Sequence, residues 1–102
     1  MARAVVWAQR ARSDLRLTIA SIETDSPGAA RAFASAVVKA SRSLATLSER
    51  GRVLPELSDE QVRELILGRY RMIYEVFPDR VAILRIIHGS RDFGKAWRRP
   101  PE

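Results

Sequence analysis

The chain has 102 residues and 46% hydrophobic content, the size and composition of one folded unit with a modest core. Its net charge is +6, and it has no cysteine and one histidine, which excludes disulfides, thiolate catalysis and a metal site built on Cys or His clusters. No apolar run approaches the roughly 20 residues of a membrane span, and the start MARAVVWAQR lacks the apolar core of a secretory signal. A soluble cytoplasmic protein is expected, with no membrane association, no metal and no cofactor. The basic residues are arginines except for Lys39 and Lys95. This positive balance favours an acidic partner, either nucleic acid or an acidic protein segment, without choosing between them.

Ala4 to Ala8 is a short apolar run with two β-branched residues and a tryptophan, read as a first strand. Ala8, Ala11, Leu15, Ile19 and Ile22 then recur at three- and four-residue steps, the stripe of an amphipathic helix that should stop near Thr24. Ser26 is a good N-cap for a second helix, and Pro27 suits its first position, where a missing N–H costs nothing. Ala30, Phe33, Val37, Ala40, Leu44 and Leu47 form a heptad-like seam on this helix. Its expected partner is the first helix, as an antiparallel hairpin, with Gly51 as the left-handed C-cap.

The polar segment Glu56 to Glu60 leads to a strand from Val62 to Leu67, and Gly68-Arg69 makes a tight link to the next. Tyr70, Met72, Tyr74 and Val76 alternate with Arg71, Ile73, Glu75 and Phe77, the period-2 pattern of a pleated strand. Phe77-Pro78-Asp79-Arg80 supplies turn chemistry, and Val81 to His88 returns as a strand apolar enough to be covered on both faces. A last turn or strand extension follows from Asp92 to Trp97, then a frayed tail. The order is β-α-α-β-β-β: an antiparallel sheet packed against an α-helical hairpin, in the α+β class.

No Ser-His-Asp, zinc, Walker or dinucleotide motif is present. The residues able to carry chemistry are Arg69, Arg71, Arg85 and Arg91, with His88 nearby. A guanidinium is almost never buried without a partner, so Arg85, amid an apolar strand, is expected to pair with Glu75 on the neighbouring strand. The functional reading of Arg69, Arg71 and Arg85 is phosphate or nucleic-acid binding, for which a planar fork is the preferred ligand. His88 is a general-base candidate, against the simpler role of a hydrogen-bonded structural residue. Tyr70, Tyr74 and Trp97 offer rings for stacking bases, but Met72 and Val76 share their face, which favours core packing.

Three stretches, Gly51-x-x-Leu54-Pro55-Glu56-Leu57, Tyr70-Arg71-x-x-Tyr74 and Ile87-His88-Gly89-x-Arg91-Asp92, resemble the RelE/ParE superfamily of toxins from bacterial type II toxin–antitoxin modules. The resemblance covers essentially the whole chain and implies one toxin domain over residues 1–102. RelE-like members cleave messenger RNA in the ribosome, which requires a proton acceptor, positive charge on the phosphate and an acid for the leaving oxygen. Arg71 and Arg91 match the family's arginine positions, and with His88 they are the catalytic candidates if this chain is a nuclease. Trp97 stands where a C-terminal tyrosine would fall, and Arg63 and Glu64 replace a pair of lysines, so that catalytic set is incomplete. The His-Gly-x-Arg-Asp ending is more similar to the ParE branch, which implies inhibition of DNA gyrase by binding, without an active site. The expected target-binding residues are then Arg91, Lys95, Trp97, Arg98 and Arg99. The resemblance also implies a cognate ParD-like antitoxin whose acidic C-terminal segment folds onto the toxin in a hetero-oligomer. A +6 surface with an apolar groove between helices and sheet suits such a segment, and an exposed apolar patch is expected on the isolated chain. A small nucleic-acid-binding module is the alternative of a different class.

Overall fold

The computed structural model describes residues 2–101. Strand β1 (Ala4–Trp7) runs into helix α1 (Gln9–Asp25), and α2 (Pro27–Ser43) turns back antiparallel to it. The break between the helices has the expected chemistry. Ser26 leaves helical geometry, its hydroxyl accepts the N–H of Ala29 (3.1 Å), and Pro27 occupies the first position. Helix α2 stops at Ser43, earlier than the seam implies. Leu44 is its fully buried C-cap, whereas Leu47 lies in the following loop and is 59% exposed.

Gly51 is therefore not a helix cap. It lies beside Tyr74, whose Oη accepts the Gly51 N–H (2.9 Å). A Cβ there would stand 2.5 Å from Tyr74 Oη and 2.6 Å from the Glu64 carbonyl oxygen, so the position needs glycine for close approach. Past it comes β2 (Arg52–Val53), a two-residue strand too short to carry a period in the sequence.

Strands β3 (Val62–Leu67), β4 (Tyr70–Val76) and β5 (Arg80–His88) form the expected meander, with sheet order β1-β5-β4-β3-β2. The β3–β4 link is a two-residue turn with Gly68 at φ +61°, the first central residue, where a positive φ suits the right-handed twist of the strands. The sheet is antiparallel from β2 to β5, but β1 joins β5 in parallel, so the whole is mixed. A bulge falls where Ile73 opposes Arg85 and Tyr74 opposes Ile83, leaving Leu84 as the extra residue.

Both faces of the sheet are covered. On the helical face, Met72, Tyr74, Val76, Val81 and Ile83 pack against Ala11, Val37 and Leu44. Tyr74 and Met72 are fully buried, so core packing accounts for this face and no base can stack on Tyr74. On the other face Leu54, Val62, Ile73 and Ile87 lie under the single-turn helix α3 (Phe93–Ala96). This second layer explains why β5 is apolar on both sides. Among the described residues no helix is long and apolar enough to cross a membrane.

Candidate functional site

Four arginines of the sheet, read alike in the sequence, meet different fates. Arg85 lies 3% exposed and does not pair with Glu75, which stands across from Ala82. Its partner is Asp14 of α1, reached by Nε (2.7 Å) and Nη2 (3.3 Å), while Nη1 donates to the carbonyl of Ala96 (3.0 Å). The cause is topological. β1 ends at Trp7, opposite Ile83, so the rest of β5 would present a bare edge. Asp14 closes it by also accepting the N–H of Ile86 (3.0 Å). Arg85 thus holds α1, β5 and α3 together, buried and neutralised by Asp14 rather than open to a phosphate.

Arg71 is also buried, and it too is neutralised. Its Nε donates to Glu64 (2.5 Å), and Nη1 and Nη2 make a bidentate pair with Glu56 (3.0 and 2.8 Å). Arg52 donates to the second oxygen of Glu64, a carboxylate with no exposed side-chain surface. The hydrogen bond from Arg71 holds the Glu56 carboxyl below its ordinary range, and that same bond raises the guanidinium. The Arg71 guanidinium carbon also sits 4.9 Å from the centre of the Phe93 ring, beneath α3. Its role is structural, so the nuclease and phosphate readings of Arg71 are not met in this geometry.

His88 ends β5 half-buried, edge-on to Tyr70 with centroids 5.0 Å apart. Its Nδ1 accepts the N–H of Ser90 (3.1 Å), with the Ser90 hydroxyl 2.6 Å away. A nitrogen that accepts carries no proton, so in the neutral ring the proton is on Nε2. His88 therefore presents a donor outward, the wrong state for a general base acting through Nε2. His88 shares one surface concavity with Arg71 and another with Arg91, and among the described residues no group of His, Asp and Glu could hold a metal ion.

Arg69, at the β3–β4 turn, and Arg91, after β5, are exposed, and neither guanidinium has a partner among the described residues. Arg69, Tyr70 and His88 line an open groove of about 440 Å³, whose other walls include Ile22, Phe33 and Leu67. Leu17, 71% exposed, lies next to it on α1 in a second concavity shared with Ser21, His88 and Arg91. The expected apolar patch is thus present, at the open end between hairpin and sheet, with Arg69, Arg91 and Asp25 around it.

The C-terminal candidates form a ledge over the second face. Trp97 stacks on Phe93 (5.4 Å, 14° between planes) and is half-buried, so its ring serves packing first. Arg99 pairs with Glu75 and with Asp59 (3.4 Å), which ties down the tail that the sequence suggested was frayed. Arg98 donates to the carbonyl of Trp97 (2.6 Å), and Lys95 is exposed. Arg91, Lys95 and Arg98 remain on the outer surface.

Sequence reasoning missed Asp14, Glu56 and Glu64 as the partners of the buried arginines. For Glu64 a signal existed: it shares an alternating strand face with Val62, so its burial follows once that face is covered.

No curated protein sequence matches this chain closely enough to count as a relative. A solved structure described as the chromosomal ParDE TA system from P. aeruginosa is similar in fold, with a TM-score of 0.68 at 21% identity, over 84% of this chain and 95% of that one. The family model described as the ParE toxin of the type II toxin–antitoxin system parDE matches residues 5–93. With the mixed sheet, the helical hairpin and the second-face turn in place, the chain belongs to the family of ParE toxins of type II toxin–antitoxin systems.

Proposed function

We propose that this toxin acts by binding DNA gyrase and blocking replication, and that a ParD-like antitoxin neutralises it through an acidic C-terminal segment. The observation that carries the non-enzymatic reading is the bidentate Arg71–Glu56 pair with Glu64 behind it. A guanidinium held by two carboxylates cannot also stabilise a phosphate that gains charge. The nearby histidine offers a donor where a proton acceptor is needed. Family membership supports the gyrase target, and the exposed Arg91, Lys95 and Arg98 are the residues we assign to it. The apolar groove between hairpin and sheet, with Arg69 at its rim and Arg91 in the neighbouring concavity, supports an acidic amphipathic antitoxin segment. The toxin domain spans 1–102, and the working state is a hetero-oligomer in the cytoplasm.

The test incubates purified chain with gyrase, ATP and relaxed plasmid, with a cell-free translation reaction alongside. Loss of supercoiling with linear, protein-linked DNA is the expected result. Intact supercoiling together with codon-placed mRNA cuts would overturn the proposal and reassign the chain to ribosome-dependent cleavage.

A further inference from the structure

The arginines of the sheet and its loops divide sharply. Arg52, Arg71, Arg85 and Arg99 pair with carboxylates, and Arg63 donates to the carbonyls of Glu49 and Gly51. Arg69 and Arg91 alone among them have neither a side-chain hydrogen bond nor an ion pair with any described residue. Both lie at one end of the sheet, and His88 lies between them, lining the groove shared with Arg69 and the concavity shared with Arg91. The Ser90 N–H on Nδ1 leaves His88 with an outward N–H that no described residue accepts. Three donor groups with no acceptor thus share this end of the molecule. Asp14, on the Arg91 side, is already taken by Arg85. Asp25, on the Arg69 side, lies beyond ion-pair distance of Arg69.

We propose that this end of the sheet binds the phosphodiester backbone of a nucleic-acid strand, with Arg69 and Arg91 holding phosphates on either side of the Tyr70–His88 ring pair and His88 Nε2–H donating between them. Guanidinium forks match phosphate oxygens bidentately. A strand carries one monoanion per nucleotide in a regular row, so two arginines flanking one ring pair can be satisfied in succession. Tyr70 is clamped between Phe33 (5.2 Å) and His88, so the ring that faces a base is that of His88, held in place by Tyr70 and Ser90. This contact is made by the toxin itself. It goes beyond the gyrase reading and does not depend on it.

The test measures binding of a fluorescent 12-nucleotide oligothymidylate to the full chain, without gyrase, at 50 and 200 mM salt. Two phosphate contacts release counterions with a slope of about 0.7 each, so their share of affinity falls about sevenfold over this range. Arg69→Ala/Arg91→Ala should remove most of the binding and lower the salt slope by about 1.4. Arg12→Ala/Arg31→Ala, which removes two exposed helical arginines, should leave both nearly unchanged. Both double variants change exposed side chains, and circular dichroism checks that each folds. No binding by the parent chain at 50 mM salt would overturn the proposal. So would equal losses in the two double variants, which would mean diffuse charge. Because gyrase is absent, none of these outcomes bears on the supercoiling assay.

Discussion

Asp14→Ala gives the most demanding check of how this fold is closed. Asp14 and Arg85 are 10% and 3% exposed at their side chains, and the carboxylate also takes the Ile86 N–H. Removing one member of a buried pair leaves the other charge uncompensated, at a cost of about 3–5 kcal/mol. The orphaned amide of Ile86 adds about 1 kcal/mol. Against the 5–15 kcal/mol typical of a domain, roughly, that brings the chain close to unfolding. With an m-value of about 2 kcal/mol/M, the urea midpoint should fall by about 2–3 M. Trp7, bonded to Ser41 on the helical side, and Trp97, stacked on Phe93 beneath the sheet, report the transition by fluorescence from both layers. Asp14→Leu/Arg85→Met removes the pair together and should recover most of the loss, leaving about 1 kcal/mol for the unpaired amide. A midpoint shift under about 0.5 M for Asp14→Ala would refute the reasoning. A double variant as unstable as the single one would do so too.

Gly51→Ala should destabilise by about 1–3 kcal/mol, because the new methyl meets Tyr74 Oη and the Glu64 carbonyl, and backbone has to shift; thermal melts against the parent measure it. Glu56→Gln tests the linkage on the second face. The folded-state pKa of Glu56 is lowered, so its contribution is present above the ordinary carboxylate range and disappears as pH falls through the folded value. Glu56 is 37% exposed, so after solvent screening the difference at pH 7 should be about 0.5–1 kcal/mol, shrinking in urea melts as the pH is taken below the ordinary carboxylate range. Burial raises the Tyr74 hydroxyl. An ultraviolet titration of the folded chain should therefore show Tyr74 still protonated at a pH that ionises a free tyrosine, and Tyr74→Phe should remove that late step. Lys95→Ala/Arg98→Ala should weaken gyrase inhibition several-fold while leaving the urea midpoint within about 0.5 kcal/mol of the parent in stability; unchanged inhibition would remove these two from the target surface.

Much of the local structure was legible because it rests on nearest-neighbour chemistry. Ser26-Pro27 starts α2, Gly68 makes the hairpin turn, and the alternation from Tyr70 to Val76 sets which residues face the helices. The end of α2 was misplaced because Leu47 continues the heptad spacing, yet the chain leaves the helix at Ser43 and the spacing loses its meaning. The candidate site was legible only as residue types. A line of arginines in the sequence says nothing about which ones have a carboxylate waiting, since Asp14 and Arg85 are 71 residues apart.

By itself the sequence determined the β-α-α-β-β-β order, the helical hairpin and the β3–β5 meander, because each follows from periodicities and turn residues within short windows. Only the tertiary structure decided that β1 would lie parallel to β5, that α3 would cover the second face, and that Asp14, Glu56 and Glu64 would silence Arg85 and Arg71 while Arg69 and Arg91 found no partner among the described residues. The reason is physical: a buried charge takes whichever opposite charge the fold brings within hydrogen-bond reach, and that choice is made across the sheet rather than along the chain.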